Sequence, residues 1–392
     1  MNPALRSSNC PEKQLLALCA RTRQTGEQRQ EVLNILSGRV DWDYLISESL
    51  ESSVTPLLQR QLLSLAPESV PIVFQEKLKS MGRSIALRGM FLTAELLRVL
   101  DAFKQKGIRA IPYKGPVLAA QAYGDFTLRE FEDLDIIVPQ LDLPAAHAIV
   151  VSFGYKPKYD WILAPDAAAA LVPGEYNYRD IPRSAMIELH TERTLRHFPR
   201  VPDVVSFLPA LVPVKLAERE VPTFAPEELL TLLCIHGSKD FWERLSWIAD
   251  VSELVQRYTA FDWDRAMQFA ESQRALRMVH LGLALAIAIF DTPLLSEIEA
   301  QVTCDRIASE IASGIAHRLL SRPFHTLNGR ERFRFRRNMQ EGVFEGWRYA
   351  TRLAIVPAEE DWEMVRLPPA LAPLYVVLRP IRLLRKYGLG AS

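Results

Sequence analysis

The chain has 392 residues, 48% hydrophobic and 24% charged, which is ample for a buried core and for more than one domain. Lys plus Arg and Asp plus Glu both number 47, so the global charge gives no support to a nucleic-acid partner, and any such contact needs a local patch. The four cysteines, Cys10, Cys19, Cys234 and Cys304, form no C-x-x-C pair or zinc-like spacing and read as reduced thiols of a cytoplasmic protein.

Met1-Asn2-Pro3-Ala4-Leu5-Arg6 opens no apolar signal core. Residues 1–106 read as an N-terminal helical region. From Pro71 to Lys106, apolar positions Phe74, Leu78, Met81, Ile85, Leu92, Leu96, Val99 and Phe103 recur mostly at steps of three and four. That pattern predicts one long amphipathic helix, stopped near Gly107. Asp41-Trp42-Asp43 and Asp262-Trp263-Asp264 echo one another and predict Asp N-caps with a Trp packed nearby.

The character changes at Gly107, and residues 107–200 read as a small α/β core. Ile108 to Tyr113 is a short strand ending in Lys114-Gly115, and Pro116 to Tyr123 a helix with Pro at its first position. Leu134 to Val138 is a near-continuous apolar run, as expected of a strand buried on both faces. Leu143 to Phe153 reads as a helix, and Glu175–Arg179 and Ala185–His190 as strands.

Residues 201–325 read as a helical domain in which strands largely disappear, with helical periodicity over Pro226–Tyr258, Trp263–Phe290 and Leu294–Leu320. The longest apolar run, Leu281 to Phe290, falls well short of the roughly 20 residues that span a bilayer and predicts a buried helix. Residues 326–392 form a basic C-terminal tail. In it, Arg330, Arg332, Arg334, Arg336 and Arg337 alternate with Phe333 and Phe335. The favoured reading packs the phenylalanines on the core, and single-stranded nucleic acid is the rival. The last segment, Leu374 to Tyr387, is amphipathic and basic; packing on the protein itself is favoured over peripheral contact with an anionic membrane. Pro380 argues against one uninterrupted helix there. The fold class is therefore α+β, mostly helical, with a small mixed sheet flanked by helical regions.

The chemistry concentrates around Asp133-Leu134-Asp135. Two residues apart on a strand, the carboxylates leave the same face, roughly 6.6 Å apart at the backbone. They are suited to two divalent ions about 3.5–4 Å apart. Without cations the pair would repel. Lys114-Gly115, where a strand turns into a helix, offers backbone N–H groups and a point charge to a phosphate. Glu188 in Met186-Ile187-Glu188-Leu189-His190 supplies a third carboxylate from a neighbouring strand. His190 shares its face, as a substrate or supporting contact or as a satisfied core histidine. His236 and Lys239, three apart on one helix face, could lean over a cleft, with the plain helix surface as the alternative.

Tyr113-Lys114-Gly115-Pro116-Val117-Leu118-Ala119, Tyr123-Gly124-Asp125, Leu128-Arg129 and Asp133-Leu134-Asp135-Ile136-Ile137-Val138, followed by Glu188-Leu189-His190, resemble the uncharacterised nucleotidyltransferase family of the DNA polymerase β-like superfamily. The resemblance extends to Val40-Asp41-Trp42-Asp43, to Val54-Thr55-Pro56-Leu57-Leu58, and to His236-Gly237-Ser238-Lys239 with Trp242, Arg244-Leu245 and Trp247-Ile248-Ala249-Asp250. Asp361-Trp362, Leu367-Pro368 and Arg379-Pro380-Ile381-Arg382-Leu383 are similar to tails of members found with exopolysaccharide genes. Two departures stand out: Lys114-Gly115-Pro116 replaces the superfamily's Gly-Ser turn, and Ser52-Ser53 stands where a His is frequent.

The resemblance implies a metal-dependent transfer of an NMP from an NTP, ATP among them, to an acceptor hydroxyl. Asp133 and Asp135 would ligate two Mg²⁺ or Mn²⁺ ions, with Glu188 on the catalytic one. Lys114 and Gly115 would meet the β- and γ-phosphates, and Arg129 would orient the acidic strand or meet a phosphate. The acceptor, the NTP and the oligomeric state stay open; polysaccharide biosynthesis is one setting. Rival readings are a glycosyltransferase using Asp-x-Asp for a sugar nucleotide, and a non-catalytic, antitoxin-like nucleotide-binding regulator. Turnover is favoured because a non-catalytic protein has no need to keep three acids together.

Overall fold

Helix starts along the chain follow local capping chemistry. The computed structural model describes residues 10–158, 175–191, 208–322, 326–355, 361, 364–365, 367 and 369–387. It is mostly helical, with a five-stranded mixed sheet and a two-stranded hairpin; the sequence predicts the mixed sheet but neither the hairpin nor the short strand Lys156–Pro157. Helix α1 is Pro11–Cys19, α2 Gly26–Leu36, α3 Trp42–Glu51, α4 Thr55–Leu65 and α5 Ile72–Gln105. Thr25 and Gln28 form a reciprocal capping box at α2. Asp41 caps α3 by accepting from Tyr44 N at 3.1 Å, and Trp42 stacks on Phe74. Asp262 caps a later helix by accepting from Arg265 N at 3.0 Å, with Trp263 against Phe261, so both Asp-Trp-Asp motifs are capping devices.

Two compact units make up the chain, each built from discontinuous segments. One contains residues 1–97, 112–132 and 210–339, and the other residues 98–111, 133–209 and 340–392. In the first, helix α6 (Gly115–Leu118) runs into a π-helical turn, Ala119–Tyr123. The hairpin that was not expected is β6 (Val212–Leu216) and β7 (Arg219–Thr223). Pro213 and Pro222 face each other across it, which a two-stranded ribbon tolerates because each strand has an open edge.

The helical remainder of this unit is α8 (Pro226–Lys239), α9 (Leu245–Arg257), α10 (Trp263–Ser272), α11 (Leu276–Phe290), α12 (Ser296–Cys304), α13 (Arg306–Leu319) and α14 (Gly329–Asn338). Each of the three long periodic stretches thus breaks in two. Phe241, Trp242 and Arg274 turn the chain at positive φ, and Asp305 caps α13. Trp242 is fully buried between α8 and α11, where a Cβ on Gly237 would lie 2.6 Å from its ring and one on Gly282 only 2.5 Å from Cys234 Sγ. These glycines make room for the indole. On α14, Phe335 is buried against Phe241 while Phe333 is 41% exposed, so only one of the two phenylalanines packs on the core.

The second unit holds the sheet, in the order β1-β2-β5-β4-β3. Its strands are β1 (Ile111–Pro112, divided between the units), β2 (Asp133–Ile137), β3 (Lys156–Pro157), β4 (Glu175–Asp180) and β5 (Ala185–His190). Strand β1 is shorter than the sequence predicts. β5 pairs with β2 in parallel and with β4 antiparallel. Leu134, Ile136, Ile187, Leu189, Tyr176 and Tyr178 fill one face and are buried. Helix α7 (Leu143–Ser152) serves that apolar face, with His147 Nδ1 3.0 Å from Tyr178 Oη.

The C-terminal helices are α15 (Val343–Ile355) and α16 (Tyr375–Tyr387). α16 is one helix with Pro380 inside it, against the expectation of a break. Arg379 and Arg382 both bind the buried carboxylate of Asp361, Arg379 Nη1 at 2.8 Å. Two of the tail's basic groups are thus paired within the protein. No helix among the described residues is long and apolar enough to cross a bilayer, and α11 is buried along most of its length.

Candidate metal centre

The register of the sheet decides what shares its second face. Asp135 lies opposite Glu188 and Ile137 opposite His190 across β2 and β5, while Asn177 and Glu175 on β4 lie opposite Glu188 and His190. Paired residues in a ladder leave the same face and alternate ones share it. Asp133, Asp135, Glu188, His190, Glu175 and Asn177 therefore all project from the face away from α7. β2 is consequently apolar on one face and acidic on the other, and its middle residues are buried on both.

Within this face, Asp135, Glu188 and His190 each offer a ligand atom within 4.8 Å of the others. His190 Nε2 lies 3.0 Å from Asp135 Oδ1 and 3.6 Å from Glu188 Oε2. Asp135 and His190 are buried, and the Glu188 side chain is 17% exposed. The ladder closes past the site, where Val138 N donates to the carbonyl of His190 at 2.9 Å.

Burial pushes the Glu188 carboxyl up to about 7, reinforced by the charges of Asp135, Glu175 and Asp133 and opposed by His190. Each anion raises the cost of the next, and the imidazole offsets only part of it. Asn177 Oδ1 is buried beside this group without a hydrogen-bond partner among the described residues. A protonated carboxyl or a cation would relieve both features. The carboxylate oxygens of Asp135 and Glu188 suit a hard divalent ion such as Mg²⁺ or Mn²⁺, with the His190 imidazole held against Asp135 as a support of that ligand. The sequence did not single out Glu175 or Asn177, because only the antiparallel pairing of β4 brings them to this face.

The remaining candidates lie in the other unit. Gly115 opens α6 at φ +54, a conformation that favours glycine, and Lys114 Nζ lies 5.1 Å from the centroid of the Tyr113 ring. Together α6 and the π-helical turn that continues it cover the helix predicted from Pro116 to Tyr123. Arg129 is held by a two-pronged ion pair, Nε to Asp250 Oδ1 at 2.8 Å and Nη2 to Oδ2 at 2.9 Å. Tyr123 donates its hydroxyl to the same Asp250 Oδ1 at 2.8 Å. Three separated motif residues, Tyr123, Arg129 and Asp250, thus form one buried network whose centre, Asp250, was not among the predicted site residues. His236 stands edge-on to Trp247 with ring centroids 5.1 Å apart, and Nδ1 lies 3.5 Å from Asp240. The Lys239 carbonyl accepts from Arg336 Nη2 at 3.4 Å. Cys10, Cys19 and Cys234 are buried thiols, and Cys304 is exposed.

A family model described as an uncharacterised nucleotidyltransferase matches residues 38–291. No curated protein and no solved structure matches the chain.

Proposed function

The chain belongs to the uncharacterised nucleotidyltransferase family, and from that premise we propose that it moves an NMP from an NTP to an acceptor hydroxyl, releasing pyrophosphate. The observation that carries the reading is the convergence of Asp135, Glu188 and His190 within 4.8 Å on one sheet face, with Asp133 next along the same strand.

Asp133, Asp135 and Glu188 would hold Mg²⁺ or Mn²⁺, two ions in the full arrangement. Bound there, the ions would supply positive charge to the reacting α-phosphate and acidify the attacking hydroxyl. His190 acts on Asp135: as an Nε2–H donor at 3.0 Å it fixes the carboxylate's rotamer and offsets part of its charge. Glu188 stores a proton near neutrality in the ion-free protein and gives it up when positive charge arrives. Lys114 and Gly115 are carried over as contacts to the β- and γ-phosphates on the strength of the family pattern. Arg129 is assigned to positioning, because Asp250 already occupies both prongs of its guanidinium fork. His236 and Lys239 are further candidates for nucleotide contact. The similarity to members found with exopolysaccharide genes makes sugars and lipid-linked intermediates the first acceptors to try.

Calorimetric titration of each NTP with Mg²⁺ or Mn²⁺ into wild type and Asp135→Ala tests the reading, followed by assay of pyrophosphate release with acceptor pools. Wild type should bind an NTP in a metal-dependent way, and the variant, lacking a ligand, should lose more than the roughly ten- to hundredfold in metal affinity that removing an outer-shell partner costs, while staying folded. Binding of a UDP-sugar but of no NTP would sink the proposal in favour of a glycosyltransferase. NTP binding without product in any acceptor pool would favour a regulator.

A further inference from the structure

The first unit contains a polar cleft of about 180 Å³ lined by Thr22, Arg23, Arg60, Tyr123, Glu253, Gln256 and Arg257, with Ala122 at its wall. It lies where four segments meet: the turn after α1, helix α4, the π-helical turn and the last turns of α9. Three guanidinium groups face one carboxylate there. The Glu253 oxygens already accept from Thr22 N at 2.8 Å and Thr22 Oγ1 at 2.6 Å. Tyr123 donates to Asp250, and Gln256 donates to Ser252 Oγ at 2.8 Å. Among the described residues, no carboxylate lies within the 4.0 Å ion-pair distance of Arg23, Arg60 or Arg257.

The backbone is shaped around one of these groups. Gly124 sits at φ +72, and a Cβ there would lie 2.9 Å from Arg257 Nη2. Glycine therefore lets the guanidinium rest on the chain at the mouth of the cleft. Arg23, Arg60 and Arg257 are solvent-exposed, so water screens their mutual repulsion, while an anion seated between them would be attracted by all three. Allowing for Glu253, two positive charges are left over, the charge that a phosphate monoester balances near neutral pH. The volume equals about six water molecules, room for one or two phosphoryl groups. Guanidinium forks match phosphate oxygens in planar, paired hydrogen bonds.

We propose that the Arg23–Arg60–Arg257 cleft is a binding site for a doubly charged phosphoryl group, either a phosphate monoester or the end of a diphosphate. It uses none of the residues of the candidate metal centre, so it stands whether or not that centre transfers nucleotides.

Pyrophosphate and glycerol phosphate are the probes, titrated separately by calorimetry into the full chain in EDTA so that no metal bridges them. Wild type should bind at least one, and Arg60→Gln/Arg257→Gln should weaken it by about tenfold or more, since each lost arginine removes charge-assisted hydrogen bonds. Arg23→Gln/Arg60→Gln serves as a second variant should the first fail to fold. Asp135→Asn should keep the binding, which separates this site from the metal centre. Preference for pyrophosphate assigns the cleft to a diphosphate end and preference for glycerol phosphate to a monoester; either supports the site. The proposal fails if neither probe binds at millimolar concentration. It also fails if the folded arginine variant binds within about threefold of wild type, or if Asp135→Asn loses binding equally.

Discussion

Replacing Glu188 by Gln tests the electrostatics of the acidic face without any substrate. The glutamine is nearly isosteric with the protonated acid and cannot ionise. Raising the Glu188 carboxyl from an ordinary 4.5 to about 7 means that folding favours its protonated form. Its contribution is therefore fully present below about pH 4.5 and is lost as the pH rises through about 7. At about 1.4 kcal/mol per pH unit, the raised Glu188 carboxyl costs the metal-free protein about 3 kcal/mol at pH 8, where it is ionised, and about 1 kcal/mol at pH 5, where folding must protonate it. The variant should thus melt higher than wild type in EDTA at pH 8, by on the order of 5 °C, with the gap shrinking at pH 5. Adding Mn²⁺ should raise the melting temperature of wild type at pH 8 and leave the variant nearly unmoved. Differential scanning calorimetry at the two pH values, with and without metal, reads all four quantities. A variant that melts below wild type at pH 8 in EDTA would refute the reasoning, because the carboxylate would then be stabilising the sheet rather than straining it.

Other perturbations test the supports around the site. Asp250→Ala leaves the buried Arg129 guanidinium and the Tyr123 hydroxyl without their shared acceptor and should cost about 3–5 kcal/mol in urea unfolding; Asp250→Asn should recover part of that. Gly237→Ala drives a methyl into the Trp242 ring, so a loss of about 1–3 kcal/mol should accompany a change in tryptophan fluorescence. Asp361→Ala releases both Arg379 and Arg382, and limited proteolysis should then cut the C-terminal helices faster than the rest of the chain.

Strands β2, β4 and β5 were legible because a short apolar run or alternation is a local signal, and so were the two Asp caps. The shared face of Glu188 and His190 followed from their two-residue spacing alone. What placed Glu188 opposite Asp135 was the parallel register, which depends on how the intervening chain folds back and leaves no mark at either strand. Asp250 escaped notice for the same reason, sitting 121 residues from its partner Arg129. The helix breaks near Trp242 and Arg274 were hidden because no Gly or Pro marks them and tertiary packing holds ordinary residues at positive φ there, whereas the break at Asp305 carries an Asp cap that the unbroken periodicity overrode. The β6–β7 hairpin was masked by its prolines, which demote a strand in any sequence reading.

The parallel pairing of β2 with β5 carries a consequence in time as well as in space. His190 and Asp135 are 55 residues apart in sequence, so the acidic face exists only after that long segment has closed, and closing it brings like charges together. If the two strands dock late, a cation meets its full set of ligands only after the folding barrier has been crossed. It would then act chiefly by slowing escape from the native state, leaving the rate of arrival almost unchanged. Occupancy of the site would serve as a latch on the sheet, lengthening the lifetime of the folded chain in proportion to the metal available.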